Sequence, residues 1–315
     1  MADYQPEMGS EEAAAGVDLT GKTVVVTGGS AGLGVETIRV LAKQGAKVVS
    51  AVRDTVKGEA ALSKIRDEQH DAEVSLIHLD LFDLDSVRSG AEQIADLNPE
   101  VDILINNAGI MAAPLERTKQ GLDMHLGTNF LGHFVLTAKI LDNLMAAAPA
   151  RVINLTSSAH RLSPIRFDDP FFEKEEYNKL AAYGQSKTAM VLFSLKLDER
   201  YKDRGIRSTA VHPGLIDTEL GRYFTEEEME FLKGGIPEGV SMKTVSQGAA
   251  TQIWAACHPN FDAIAARFCE DCAVSDEITD PDADGRGVLP HALDMDAARQ
   301  LWALAEQWSG ESFPD

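Results

Sequence analysis

Thr23-Val24-Val25-Val26 runs straight into Thr27-Gly28-Gly29-Ser30-Ala31-Gly32-Leu33-Gly34, and then into Val35 to Gln44, where apolar residues recur three and four apart. A buried strand, a glycine-rich turn and an amphipathic helix in that order open a βαβ unit. Glycines permit a tight turn and close approach of a ligand to the backbone. The following helix presents free N–H groups and the positive end of its dipole to a pyrophosphate. Gly28, Ser30, Gly32, Leu33 and Gly34 are therefore candidate contacts of a dinucleotide. The glycines do not keep the strict G-x-G-x-x-G spacing, and a plain strand-to-helix turn would use the same residues.

Outward from this stretch the pattern repeats. Lys47-Val48-Val49-Ser50, Val74-Ser75-Leu76-Ile77, Ile103-Leu104-Ile105, Arg151-Val152-Ile153-Asn154-Leu155 and Arg207-Ser208-Thr209-Ala210-Val211 read as buried strands. Thr55 to Glu68, Ser86 to Leu97, Leu122 to Ala147 and Lys179 to Arg204 read as helices between them. Alternation of this kind predicts an α/β fold: a doubly wound parallel sheet of about seven strands with helices on both faces. Without internal repeats or a low-complexity linker, residues 19–315 form one domain. It carries a loop at 214–240 and an extended C-terminal segment at 257–315. Residues 1–18, with five acids and no base, are expected to be a flexible acidic tail.

Of 315 residues, 50 are Asp or Glu and 29 Lys or Arg, for a formal charge of -21. Such a charge repels phosphate backbones and anionic lipids, so neither nucleic acid nor a membrane is expected as a partner. The excess sits in residues 1–18, 216–230, 262–284 and 294–315, which together hold 24 acids and 3 bases; the remainder is balanced at 26 of each. The acidic segments are expected to be solvated surface, leaving a neutral core that can accept a polyanionic ligand. Three scattered cysteines and an acidic N-terminus favour a cytoplasmic location over a secreted one.

Two sets of residues refine the reading. At the end of the second strand, where an acid would bind a ribose 2′-hydroxyl, the sequence has Ala51-Val52-Arg53, and Arg53 suits a 2′-phosphate, hence NADP(H) over NAD(H). Asp80 and Leu81, past the third strand, face the adenine in this scheme, although Asp80 could equally be a helix N-cap. Tyr183 and Lys187 stand at i and i+4 on one helix face, and an ammonium beside a phenol favours the phenolate, lowering a pKa that starts near 10. Ser157 ends the preceding strand, at the edge where α/β sheets bind ligands. Asn129 is a polar amide within an apolar helix. Cys269 and Cys272 lack a second pair or a histidine at zinc spacing, and no metal is expected. His125 and His133 are read as packing or capping residues.

Together these motifs resemble the short-chain dehydrogenase/reductase family in its single-domain form. T-G-x-x-x-G-x-G lies at Thr27 to Gly34, Asn106-Asn107-Ala108-Gly109 follows the fourth strand, and then come Asn129, Ser157, Tyr183, Lys187 and Pro213-Gly214. Leu155-Thr156-Ser157-Ser158-Ala159-His160, the step from Ser157 to Tyr183, and Phe268-Cys269-Glu270-Asp271-Cys272 resemble the retinol dehydrogenase-like branch. The resemblance implies a Rossmann fold and a mechanism. Tyr183 exchanges a proton with a carbonyl or alcohol oxygen while hydride moves to or from the nicotinamide. Ser157 orients the substrate oxygen, Lys187 lowers the tyrosine pKa and holds the ribose, and Asn129 anchors a relay water. Asn107, Ala108, Gly109, Pro213, Gly214, Ile216 and Thr218 complete the cofactor set. Apolar residues in the 214–240 loop suggest a lid over a bulky, mainly hydrophobic ketone, aldehyde or secondary alcohol. Vertebrate members of the branch carry a membrane anchor where this chain has an acidic segment, so a retinoid is not the expected substrate. A homodimer or tetramer is the family's usual state. A sugar-nucleotide epimerase or dehydratase of the extended type would show T-G-x-x-G-x-x-G instead. A non-catalytic NADP sensor would typically lack the tyrosine or the lysine.

Overall fold

In the computed structural model every expected strand forms. They are β1 (Thr23–Thr27), β2 (Lys47–Val52), β3 (Val74–His78), β4 (Ile103–Asn106), β5 (Ala150–Leu155), β6 (Ile206–His212) and β7 (Phe268–Glu270). The structure describes residues 3–216, 219–228, 230, 242–281 and 286–314. An eighth strand, β8 (Ala273–Val274), pairs antiparallel with β7. Asp271 and Cys272, both at positive φ (47° and 56°), reverse the chain between them, so the sheet has one strand more than expected. The order is β3-β2-β1-β4-β5-β6-β7-β8, parallel throughout except at that last pair.

Side chains of neighbouring strand residues point to opposite faces, and both faces are apolar. Val25, Val49, Leu104 and Val152 pack with Leu84–Leu97, Gly132–Lys139, Lys179–Tyr201 and the C-terminal helix Met295–Ser309. Val24, Val26, Val48, Ile103 and Ile153 pack with Gly32–Lys43, Thr55–Glu68 and Val245–Cys257. Strand order reverses between β1 and β4. The loops leaving their carboxyl ends diverge there and open the crevice in which such sheets bind ligands.

Three expectations change. The predicted helix from Leu122 to Ala147 is interrupted: Leu126–Leu131 is π-helical, Gly132–Lys139 and Leu141–Ala146 are separate α-helices, and Ile140 leaves helical geometry between them. The His133 ring occupies the Asn129 carbonyl (Nδ1 to O 2.8 Å), a side chain inserted into the backbone ladder at the wide turn. The N-terminal segment is docked rather than free. Ser10 is fully buried, its N–H donates to Ser246 Oγ (3.0 Å) and its hydroxyl to Glu36, while Glu11 pairs with Arg39 and Lys43. Small residues here fill the seam between Gly32–Lys43 and Val245–Cys257, and the acids meet bases rather than water alone. Nor is all the C-terminal acidity solvated. Glu270 and Asp271 are buried, and Asp271 bridges Lys243 (2.5 Å) and Arg286 (2.6 Å). Residues 217, 218, 229 and 231–240 of the expected lid lie outside the described residues, as do 282–285 of the C-terminal segment. Among the described residues no helix is long and apolar enough to cross a membrane.

Candidate active site

The glycine turn uses backbone geometry that glycine adopts at least cost. Gly28 and Gly32 sit at φ 75° and 55°, and a Cβ on Gly34 would lie 2.3 Å from the Gly28 carbonyl oxygen. The helix that starts at Gly32 has no side-chain cap at Ala31, so the N–H groups of its first turn open onto the crevice. Thr27 ties the loops together. Its hydroxyl accepts from the N–H groups of Asn107 and Ala108 (both 3.0 Å) and bonds His133 Nε2 (2.9 Å), while Asn107 Nδ2 donates to the Thr27 carbonyl (2.7 Å).

A cleft of about 500 Å³ runs along the carboxyl ends of the strands. Gly28, Ser30, Gly32, Leu33, Gly34, Arg53, Asp80, Leu81, Asn107, Ala108, Gly109, Pro213, Gly214 and Ile216 all line it, together with Ser157, Tyr183 and Lys187. Thr218 lies outside the described residues. Asp80 is not a helix cap: that position belongs to Asp83, whose carboxylate accepts from the Asp85 N–H. The cleft also exposes Thr128, whose buried hydroxyl has no hydrogen-bond partner in the protein. An orphaned hydroxyl, an uncapped helix N-terminus and a glycine turn lining the cleft are together what a nicotinamide dinucleotide fits.

Tyr183, Ser157 and Lys187 meet in this cleft because the helix Lys179–Tyr201 packs along β5 and β6, and Ser157 follows the end of β5. Lys187 Nζ donates to the Leu155 carbonyl (3.1 Å) and stands 5.7 Å from the Tyr183 ring centre. Ser157 lines the cleft with Tyr183, and its hydroxyl, which accepts from the Ala159 N–H (3.1 Å), favours the phenolate. The expected lowering of the tyrosine pKa is not what this structure holds: burial pushes the phenol up to about 12, with only Ser157 working against it. Lys187 is itself desolvated, down to about 8, so its ammonium is a weaker partner than a solvated one. Tyr183 is thus a protonated phenol at neutral pH.

Asn129 sits behind the cleft rather than in it. Its Oδ1 accepts from the Ile110 N–H (2.8 Å), and its Nδ2 donates to the Ile110 carbonyl (3.0 Å) and to Ser186 Oγ (2.9 Å). Both ends of the amide hold protein, which makes it a brace of the catalytic helix and of the loop after β4. Thr128 is not marked by the sequence, and neither is the bond between Thr27 and His133, which are 106 positions apart with nothing local to pair them. The cysteines are free and buried, and among the described residues no cluster of His, Cys, Asp and Glu could hold a metal.

His125, His133 and His160 are held near pKa 4 and His212 near 3, chiefly by burial. Their folded pKa values lie below the unfolded one near 6.5, so their stabilising contribution is complete above pH 6.5 and is lost as pH falls toward 4. Asp123, raised by burial to about 6, and Glu270, also raised, act in the opposite sense but are fewer. Thermal unfolding followed by circular dichroism should show the melting temperature falling steeply between pH 6.5 and 4. A flat profile over that window would contradict burial of four neutral histidines.

Comparison with known proteins agrees with this geometry. The family model described as short chain dehydrogenase matches residues 22–229. Human retinol dehydrogenase 13 is 39% identical over 302 residues, covering 94% of this chain and 87% of the relative. Bovine retinol dehydrogenase 12 is 39% identical over 291 residues, covering 92% and 86%. Among solved structures, an uncharacterised protein from Mycobacterium paratuberculosis superposes with a TM-score of 0.75 at 33% identity, covering 96% of this chain and 98% of the other. A dehydrogenase/reductase from Sinorhizobium meliloti gives 0.64 at 27%, covering 80% and 94%.

Proposed function

Since the chain belongs to the short-chain dehydrogenase family, in its retinol dehydrogenase-like branch, we propose that it is an NADP(H)-dependent carbonyl reductase or alcohol dehydrogenase. Its substrate class is a bulky, mainly apolar ketone, aldehyde or secondary alcohol. The observation that carries this reading is the convergence of Ser157, Tyr183 and Lys187 on the cleft that the glycine turn and Arg53 also line. The nicotinamide cofactor, when bound, supplies or takes up the hydride. Tyr183 holds the proton that a nascent alkoxide needs, and its protonated state favours donation in the direction of reduction. Ser157 holds the same oxygen by a hydrogen bond, while Lys187 places a positive charge behind the phenol where negative charge develops.

The substrate class is supported by a second cavity of about 860 Å³ that meets the cleft at Arg222. Ala112, Pro114, Leu115, Leu180, Tyr177 and Tyr223 give it a mainly apolar wall. The retinol dehydrogenases it resembles are named for a bulky apolar alcohol, a class this cavity suits without selecting retinol itself.

The test is loss of NADPH absorbance with a panel of bulky aldehydes and ketones, followed by chiral analysis of the products. Turnover of these at rates well above those for small charged hydroxy acids is the expected result. Activity confined to hydroxy acids or sugar nucleotides would overturn it.

A further inference from the structure

Between the cleft and the second cavity runs a short wall, Ile110 to Ala113, in which Ala112 adopts φ 54°, a left-handed step without a glycine. Ile110 and Met111 face the cleft, and Ala112 faces the cavity. Such a step in an L-residue persists only when its surroundings hold it. Asn129 grips one end through both polar groups of Ile110. The other end has an equivalent grip that the mechanism does not use. His125 Nε2 accepts from the Ala113 N–H (3.2 Å), the Tyr177 hydroxyl donates to the Ala113 carbonyl (2.9 Å), and that hydroxyl lies 3.1 Å from His125 Nδ1.

These contacts fix every proton. An amide N–H requires a lone pair, so Nε2 is unprotonated; in a neutral ring the proton is then on Nδ1, which donates to the Tyr177 oxygen. The circuit closes in one direction, from Ala113 N–H to His125, from His125 to Tyr177, and from Tyr177 back to the Ala113 carbonyl. The groups facing the His125 ring are Asp123 (Oδ1 3.8 Å from Nδ1), Lys187 and the Tyr183 ring, whose centre is 6.0 Å away. His125 is wholly buried, and Tyr177 is part of the cavity lining.

We propose that His125 and Tyr177 are a positioning pair that latches the Ile110–Ala113 wall in its left-handed step, and so sets which substrates the second cavity accepts. The pair acts through the wall and touches no reacting atom. The role in substrate selection rests on the reading of this protein as a dehydrogenase with its substrate in that cavity; the latch itself does not.

Tyr177→Phe keeps the ring and removes the bond to Ala113, leaving a buried carbonyl and a buried N–H unpaired. For the bulky carbonyl used most efficiently, the Michaelis constant should rise by about tenfold, with kcat and the NADPH dissociation constant changed by less than about twofold. His125→Gln, which can still offer an oxygen to the Ala113 N–H, should fall between wild type and His125→Phe. Hydrogen exchange read by mass spectrometry should quicken in Tyr177→Phe over the peptide spanning 108–115 and not elsewhere. A Michaelis constant within twofold of wild type, an equal weakening of NADPH binding, or unchanged exchange in that peptide would each overturn the proposal. If the unmutated protein reduces no carbonyl, the functional reading fails, while exchange at 108–115 still decides the latch.

Discussion

Tyr183→Phe should reduce turnover by about 10²–10⁴-fold while leaving the NADPH dissociation constant unchanged. The substitution removes one oxygen and keeps the ring, which fills a buried site beside His125 and under the Lys187 ammonium. Packing and the cofactor cradle are therefore preserved, and the lost group is the proton donor that shares the cleft with Ser157. A phenol pushed up to about 12 remains protonated across the working range, so reduction should not depend on deprotonating it. Lys187 titrates first, near 8. Reductive turnover should be level below that value and decline above it, as the positive charge behind the phenol is lost. Stopped-assay rates from pH 6 to 9, with NADPH binding followed by fluorescence, check both statements. Near-normal rates in the phenylalanine variant would remove Tyr183 from the chemistry.

The strands were legible because buried parallel strands are nearly continuous apolar runs, and β2 and β5 differ from their expected bounds only at their ends. β8 was not, since two residues following a turn carry no periodicity. The π-helical turn escaped for a different reason: Leu126 to Leu131 is as apolar as any helix, and the interruption comes from a side chain, His133, reaching the Asn129 carbonyl. The docked N-terminus failed on composition. Ser10 and Ala14 look like tail residues until α-helical partners with matching grooves are present, and the acidity that argued for solvation is partly consumed by Arg39 and Lys43. The site was more legible than its electrostatics. A Tyr and a Lys four apart on one helix fix direction, but how far each is desolvated depends on β4, β5 and the loop at 107–113, which no local pattern encodes. That is why the sequence reading has the lysine lowering the tyrosine pKa whereas burial raises it.

Arg53→Ala should weaken NADPH binding by about 10- to 100-fold and leave NADH binding unchanged, so that cofactor preference disappears. The reasoning is positional. Gly28 N–H donates to the Ala51 carbonyl (2.9 Å), which sets the end of β2 against the glycine turn, and Arg53 lines the cleft two residues on. The nearest acid, Asp54, is occupied as a helix cap, accepting from the Lys57 N–H (2.9 Å), so it is not aimed at a ribose 2′-hydroxyl. Lys57 lines the same end of the cleft and adds a second positive charge. Two cations and a committed carboxylate favour a dianionic 2′-phosphate over a hydroxyl. Because Arg53 is exposed, its contribution should shrink with added salt, and the NADPH preference of the unmutated protein should shrink with it. Titrating both cofactors at low and high ionic strength, with and without the substitution, tests the assignment. Equal affinity for NADH and NADPH in the unmutated protein at low salt would refute it.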